Sequence, residues 1–417
     1  MPSFTEALEE LRGRIKSHKE IIFFLAVIAG ISARFILMTF GHNYDFESYK
    51  IVGKLVYEGK NVYANTNRYN YGPLFLFIQG LFYTIGFHFG DGEWLFRALI
   101  VCLLTWADVG ITFLLKREYG TLSAFLFFLS PISVIITGYH NQFDNLSVLL
   151  MLLAVYFAEQ GKDSQIQVND LLFIIFFSLS LIMKHIFAFF IVWIFFSKQL
   201  PLRKKALYIC IPVIAFLVSF ALYCRTDIEA WNGVLNNVFQ YASFNNAPLY
   251  GKVLELIGIP KEKYKVVFVI IMVVAGFLFR NYDLNEQILL YTICMVAFSS
   301  AIANQYLAIP VAALAVLGHK ISLLYNFVGF IYLLASGDGL ALNRVATAFP
   351  TIFGNQQNSY RIECFILAVF VILTFIKGEK ISEKVSQRIC DCQEQRTYVI
   401  KVILKILKGD YQWTHYI

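Results

Sequence analysis

Charge is what this sequence has little of. Asp, Glu, Lys and Arg make up 15% of its 417 residues while 58% are hydrophobic, a balance that no soluble core of this size requires and that excludes a water-soluble globular protein. Cysteine is sparse as well. Cys102, Cys210, Cys294 and Cys364 are scattered through apolar runs and only Cys390 and Cys392, in the tail, lie close together, so there is no disulfide framework and no paired metal-site spacing elsewhere. The first apolar run, Ile21 to Phe40, lacks a small-residue cleavage pattern and is long enough to span a bilayer; it reads as a retained helix rather than a signal peptide. The net charge of +7 sits mostly in loops between apolar runs, which makes it a topology signal and implies no nucleic-acid partner.

What is present is a series of apolar runs, at roughly 21–40, 73–89, 95–115, 121–138, 145–158, 170–197, 206–222, 264–279, 286–303, 305–318, 321–340 and 362–376. They predict an all-α, polytopic transmembrane helical bundle. The run at 170–197 is too long for one helix and is interrupted by charge, so two short helices meeting near Lys184 are expected. Basic stretches at Arg12 to Lys19, Lys198 to Lys205, His319-Lys320 and Lys377 to Lys380 mark the cytoplasmic side. If 73–89 crossed the membrane, Lys116-Arg117-Glu118 would fall outside, against that bias; reading 73–89 as a re-entrant or interfacial segment leaves about 12 spanning helices and both termini inside. The chain then divides into a cytoplasmic amphipathic segment (1–20), a transmembrane domain (21–376) with outer loops at 41–72 and 223–265, and a basic amphipathic tail (377–417). Phe4, Leu8, Leu11 and Ile15 at helical spacing, and the stretch Thr397 to Lys408, read as helices lying on the membrane surface.

Four polar clusters share the outer face. Lys184 and His185 lie in the middle of an apolar run, where a cation costs several kcal/mol unless it meets a cavity or an anion, and an anion that lives at a membrane is a lipid phosphate. In the first outer loop Asp45 and Glu47 follow the first helix, ahead of an aromatic, amide-rich stretch that ends at Tyr71-Gly72-Pro73; a carboxylate there can take a proton from a sugar hydroxyl. His140, Asn141, Gln142 and Asp144 form a dense polar block suited to a polyhydroxylated ligand or to capping helix ends, and without a third ligand nearby they predict no metal. Asn304, Gln305 and Tyr306 complete the set. Trp231, Asn236, Asn237, Tyr241, Asn245, Asn246 and Tyr250 give the loop at 223–265 a carbohydrate-compatible mixture, Asn145-Leu146-Ser147 matches a glycosylation acceptor pattern at a helix start, and Asp108 is a buried acid expected to pair with Arg97 or a neighbouring helix.

Asp45-Phe46-Glu47, Tyr71-Gly72-Pro73, His140-Asn141-Gln142, Lys184-His185 and Gln305-Tyr306 followed by Pro310, in that order, resemble the motifs of the GT-C glycosyltransferases. Among these the chain is most similar to the dolichyl-phosphate-glucose glucosyltransferases of lipid-linked oligosaccharide assembly and the polyprenyl-phosphate-mannose mannosyltransferases, over about residues 20–320. The resemblance implies a multi-pass enzyme of a bacterial inner membrane or ER membrane, active on the outer or lumenal side, moving a hexose from a polyprenyl-phosphate donor to a lipid-linked glycan or other carbohydrate acceptor. It implies Asp45 as base with Glu47 as neighbour, Lys184 and His185 on the donor phosphate, and Tyr71, His140, Asn141, Gln142, Asp144, Gln305 and Tyr306 around the substrates. The family usually has an amide where this chain has Asp144, and a double proline where it has Gly72-Pro73. One base and fixed cations suit direct displacement with inversion and no cofactor. Two other classes share these features: a flippase of lipid-linked sugars, which would show pseudo-repeated halves, and a polysaccharide ligase using a lipid diphosphate, which would show more arginine near the outer loops than Arg68, Arg225, Arg344 and Arg361.

Overall fold

The computed structural model describes residues 4–377 apart from 90, 162–164, 241–245, 338 and 349–355. All regular structure among the described residues is helical. The α-helices are α1 (Phe4–Thr39), α2 (Tyr44–Tyr57), α3 (Val62–Asn65), α4 (Pro73–Phe89), α5 (Gly92–Tyr119), α6 (Thr121–Phe128), α7 (Pro131–Ile135), α8 (Asp144–Gln160), α9 (Val168–Met183), α10 (Phe190–Phe196), α11 (Leu202–Cys224), α12 (Ile228–Val234), α13 (Gly251–Leu256), α14 (Tyr264–Leu278), α15 (Leu284–Ala297), α16 (Val311–Leu317), α17 (His319–Ala335), α18 (Asn343–Ala348) and α19 (Gln356–Lys377). A compact unit runs to Leu373, and of the second, from Thr374, only the end of α19 is described. The basic stretch Thr397 to Lys408, Cys390 and Cys392, Tyr241 and Asn245, and the side chains of Phe4, Leu8, Leu11 and Ile15 lie outside the described residues. The expected boundary at residue 20 is not a break in the helix, since α1 runs through it.

Four stretches are long and apolar enough to cross a membrane: Glu20–Thr39, Gly92–Tyr119, Leu202–Cys224 and Gln357–Lys377. Two more are bent pairs, Thr121–Phe128 with Pro131–His140 (45°) and Val168–Met183 with His185–Phe196 (110°). Pro73–Phe89, Leu284–Ala297, Asn304–Leu317 and His319–Ala335 are shorter apolar helices. Among the described residues the helices long and apolar enough to cross number four, or six with each bent pair as one span, where hydropathy predicted about twelve. The physical reason is that several apolar runs fold as short helices joined by breaks, and hydropathy does not register a bend.

Two contacts settle the place of α4. Lys116 Nζ at the end of α5 lies 2.5 Å from Glu20 Oε2, and Arg97 near the start of α5 donates to the Gly41 carbonyl just beyond α1. The two helices are therefore antiparallel. The chain between them leaves from one end and returns to it, so the segment α2 to α4, in which α4 packs on α2 and α5, makes no net crossing.

At the opposite end the basic loop after α10 is built into the protein. Lys204 is buried, its Nζ 2.9 Å from Asp170 Oδ1 and donating to the Gly161 carbonyl at 2.8 Å. Lys198 N donates to the Arg280 carbonyl at 2.8 Å.

Asp108 pairs with Arg34 of α1 at 2.9 Å, both side chains fully buried, and not with Arg97, whose Nε donates to Asn141 Oδ1 at 3.0 Å. Ser133 Oγ (3.3 Å), Thr137 Oγ1 (2.7 Å) and Asn145 Nδ2 (2.7 Å) also donate to Asp108. The network clamps α1, α5, α7 and α8 together behind the polar clusters. Asn145 is 3% exposed, so its acceptor pattern is a coincidence of sequence. Gly138 sits so close to α1 that an added Cβ would lie 2.5 Å from the Arg34 carbonyl oxygen. The described cysteines, Cys102, Cys210, Cys224, Cys294 and Cys364, are all free.

Candidate active site

The first wall of the site is the start of α2. Asn43 is its N-cap, accepting from Asp45 N at 3.1 Å, and Asp45 and Glu47 occupy the first turn, where acids complement the helix dipole. The two acids diverge because they lie on different faces. Asp45 Oδ2 accepts from Gln142 Nε2 at 2.5 Å and from Asn43 Nδ2 at 3.3 Å. Glu47 faces outward, its Oε2 2.9 Å from Lys50 Nζ and its Oε1 3.6 Å from His42 Nε2. Burial raises the Asp45 carboxyl above its ordinary range, against the lowering effects of Lys184 and of the Asn43 hydrogen bond, with Asp144 adding to the rise.

The second wall is the polar block. The chain turns from α7 through a π-helical turn, Ile136–His140, which ends on Asn141 with φ 58°; asparagine is among the residues that tolerate this left-handed conformation. Asn141, expected at the substrate, is instead committed to the fold: it is fully buried, accepts from Arg97, and donates to the Thr137 (3.3 Å) and Gly138 (3.0 Å) carbonyls. His140 Nδ1 accepts from Asn43 Nδ2 at 3.0 Å, and its buried Nε2 meets no partner among the described residues. Gln142 bridges the walls, since its Oε1 accepts from the Tyr49 hydroxyl at 3.3 Å while its Nε2 holds Asp45.

The third wall is the break between α9 and α10. Lys184 is extended (φ −154°, ψ 117°). Non-helical backbone survives at membrane depth only where protein satisfies it, and here Ser147 Oγ donates to the Lys184 carbonyl at 2.9 Å and the Tyr291 hydroxyl to that of Ile186 at 2.7 Å. The Lys184 ammonium, 4% exposed as a residue, lies 2.7 Å from Asp144 Oδ2 and over the rings of Phe143 (4.6 Å) and Tyr71 (4.8 Å). The sequence pointed to a lipid phosphate as the partner of this cation; within the protein it also has Asp144. The other oxygen, Asp144 Oδ1, is buried and without a partner among the described residues. His185 takes no part in this pair: its ring stands 6.0 Å from that of Phe216.

Tyr71 reaches Lys184 because Gly72 lets the loop in. An added Cβ on Gly72 would fall on the carbonyl oxygen of Ile182, so glycine at this point is a steric requirement of the close approach. The Tyr63 hydroxyl holds the Tyr71 carbonyl at 2.7 Å. Tyr306 is among the groups that act electrostatically on the Tyr71 phenol, which burial raises well above its ordinary value. The turn Asn304–Ala308 packs against the π-helical turn and α8. Gln305 and Tyr306 are half-buried there, whereas Asn304 turns inward and accepts from the hydroxyls of Tyr332 (2.6 Å) and Tyr360 (2.5 Å).

Sequence reasoning gave no role at this site to Asn43, Tyr49, Phe143 or Arg68. Asn43 carried a signal, an N-cap residue ahead of an acidic first turn. Arg68 stacks 4.0 Å over Tyr44 and its Nη2 donates to Ser48 Oγ at 2.8 Å, on the same helix as Asp45. His42, Glu47 and Glu93 are the group whose spacing could hold a metal ion; Lys50 Nζ lies 2.9 Å from each of the two carboxylates and already supplies a cation to them.

A solved structure, ArnT from Cupriavidus metallidurans in the apo state, superposes on 86% of this chain and 77% of its own, with a TM-score of 0.50 and 13% sequence identity. The chain shares its fold with ArnT. The all-α, polytopic membrane architecture read from the sequence is the one this protein has. No family model and no curated protein matches the sequence. At this identity the likeness to ArnT concerns the fold, and the chemistry has to come from the site.

Proposed function

We propose that the protein is a membrane glycosyltransferase that moves a hexose, glucose or mannose, from a polyprenyl-phosphate donor to an acceptor hydroxyl on the outer or lumenal face, with inversion. The observation that carries this reading is one carboxylate and one cation held in a single cluster: Asp45, half-buried and gripped by Gln142, and the buried Lys184, whose charge acts on Asp45. A lipid-anchored phosphate leaving group needs a cation beside it, and the incoming hydroxyl needs a base on the far side of the anomeric carbon. Lys184 supplies the first and Asp45 the second. The raised carboxyl makes Asp45 a better proton acceptor than an exposed aspartate, because a base works best when its pKa approaches the operating pH. Gln142 fixes the carboxylate, and the half-buried Tyr71, Gln305 and Tyr306 offer ring faces and amides to a sugar. His185, beside Phe216, serves the polyprenyl side of the phosphate. The acceptor is a lipid-linked glycan or another carbohydrate, and displacement needs no cofactor.

The test is product formation by purified protein with short-chain polyprenyl-phosphate glucose and mannose. Asp45→Asn keeps shape and can still accept from Gln142 but cannot take a proton; transfer falls by roughly 10²–10⁴-fold with donor binding retained. Normal turnover in this variant removes Asp45 from the chemistry.

A further inference from the structure

Lys184, Asp144 and Asp45 form a trio whose charges do not balance. Lys184 Nζ meets Asp144 Oδ2 at 2.7 Å, and the charges of both act on Asp45. With all three ionised the trio carries one excess negative charge; the Arg68 guanidinium also acts on Asp45, but less than Lys184 or Asp144 does, and its own hydrogen bonds go to Ser48. A polyprenyl-phosphate sugar is a phosphodiester that stays a monoanion at any ordinary pH, so its arrival beside Lys184 puts three anions around one cation in a place almost closed to water. Both walls of the cluster are low-dielectric: Phe143 and Tyr71 cover the ammonium, and Asp144 is fully buried. Like charges that close cannot all remain ionised.

Resting on the reading of the site as a polyprenyl-phosphate transferase, we propose that Asp144 is a stand-in anion: the donor phosphate displaces its carboxylate from Lys184, and Asp144 takes up one proton as it lets go. Three observations place the proton there. Asp144 Oδ1 has no partner among the described residues, so it is free to carry a proton. Asp45 is held by two side-chain donors, Gln142 Nε2 and Asn43 Nδ2, which favour its ionised form. Gln142 Nε2 has no comparable bond to Asp144, whose one side-chain donor is the ammonium that the phosphate takes over. The other titratable groups facing the cluster are unsuited to the role. On α2 and in the first loop they are the phenols of Tyr49 and Tyr71, which cannot gain a proton, and the guanidinium of Arg68, which already carries all of its own; in the π-helical turn His140 spends Nδ1 on Asn43; beside Lys184, His185 would add positive charge next to an ammonium; and Tyr306 is again a phenol. Asp144 is thus a positioning residue. It holds Lys184 in place while the site is empty, and its neutral form leaves the ammonium to the phosphate.

The sign of the linkage follows. Binding consumes a proton, so donor affinity weakens as pH rises, by up to about tenfold per pH unit between the carboxyl's titration in the free and in the bound protein. The experiment is isothermal calorimetry on the full-length protein in detergent with a short-chain polyprenyl-phosphate hexose, in two buffers of different ionisation enthalpy, repeated across pH. Wild type is expected to take up close to one proton per donor bound, and Asp144→Asn to take up none, to bind more tightly, and to lose the pH slope. The wild-type proton count needs no variant, so a poorly folding Asp144→Asn leaves the test intact. Binding without proton uptake and with a flat pH dependence overturns the proposal. Uptake that persists in a folded Asp144→Asn overturns it too, moving the proton to Asp45. No binding of either hexose donor at any pH is a different failure, that of the proposed function itself.

Discussion

Replacing Lys184 by alanine separates two jobs that one ammonium performs. In the empty protein it neutralises Asp144, fully buried and 2.7 Å away; removing one partner of a buried pair costs about 3–5 kcal/mol, because the remaining charge is left uncompensated. On the proposed reading the same ammonium also meets the donor phosphate, and a lost charge-assisted hydrogen bond is worth about 1.5–3 kcal/mol. That corresponds to a fall in kcat/KM of about tenfold to somewhat over a hundredfold. The single variant confounds the two, since a partly unfolded enzyme is also slow. The pair Lys184→Ala with Asp144→Asn resolves them: it removes both charges, so thermal stability in detergent returns most of the way to wild type, while kcat/KM with a short-chain polyprenyl-phosphate hexose stays low. If the double variant recovers turnover together with stability, Lys184 exists only to neutralise Asp144 and the phosphate role is refuted.

Glu47→Gln, whose side chain faces Lys50 and His42 rather than Gln142, lowers turnover far less than Asp45→Asn in the same assay. Because Asp45 works only when ionised and burial holds its carboxyl high, kcat at saturating donor falls on acidification at a pH above the ordinary carboxylate range; an acid limb at ordinary aspartate values would contradict the assignment. Gly72→Ala forces the first loop off the Ile182 carbonyl and withdraws Tyr71 from Lys184, so donor affinity drops although no contacting side chain has changed, measurable by the calorimetry above. In a background without native cysteines, cysteines at the exposed Asn65 and Glu262 react with an impermeant thiol reagent from outside while one at Glu118 is protected; labelling of position 118 from outside would show that α4 crosses after all.

The sequence by itself determined the class of this protein. Scarce charge and long apolar runs leave a chain no stable home except a bilayer, and helices are then the only open-ended structure that satisfies the backbone there. It also determined where the helix near Lys184 must break, because a cation in the middle of a run of that length cannot face lipid, and the 110° bend falls at that residue. The parity of basic loops was enough to keep α4 from crossing, since loop charge is a property of sequence alone. What the sequence could not determine was pairing. Arg34 and Arg97 are both arginines on membrane helices, and only the antiparallel packing of α1 and α5 decides that Arg34 meets Asp108 while Arg97 meets Asn141 and Gly41. Asp45 and Glu47 are two positions apart, and the rotation of α2 alone sends one to Gln142 and the other to Lys50. Lys184 and Asp144 are forty residues apart and became an ion pair through the packing of α8 on α9. Hydropathy and motif order are additive along a chain, whereas which charge neutralises which depends on distances of a few ångströms in a medium of low dielectric, and those exist only in the folded protein.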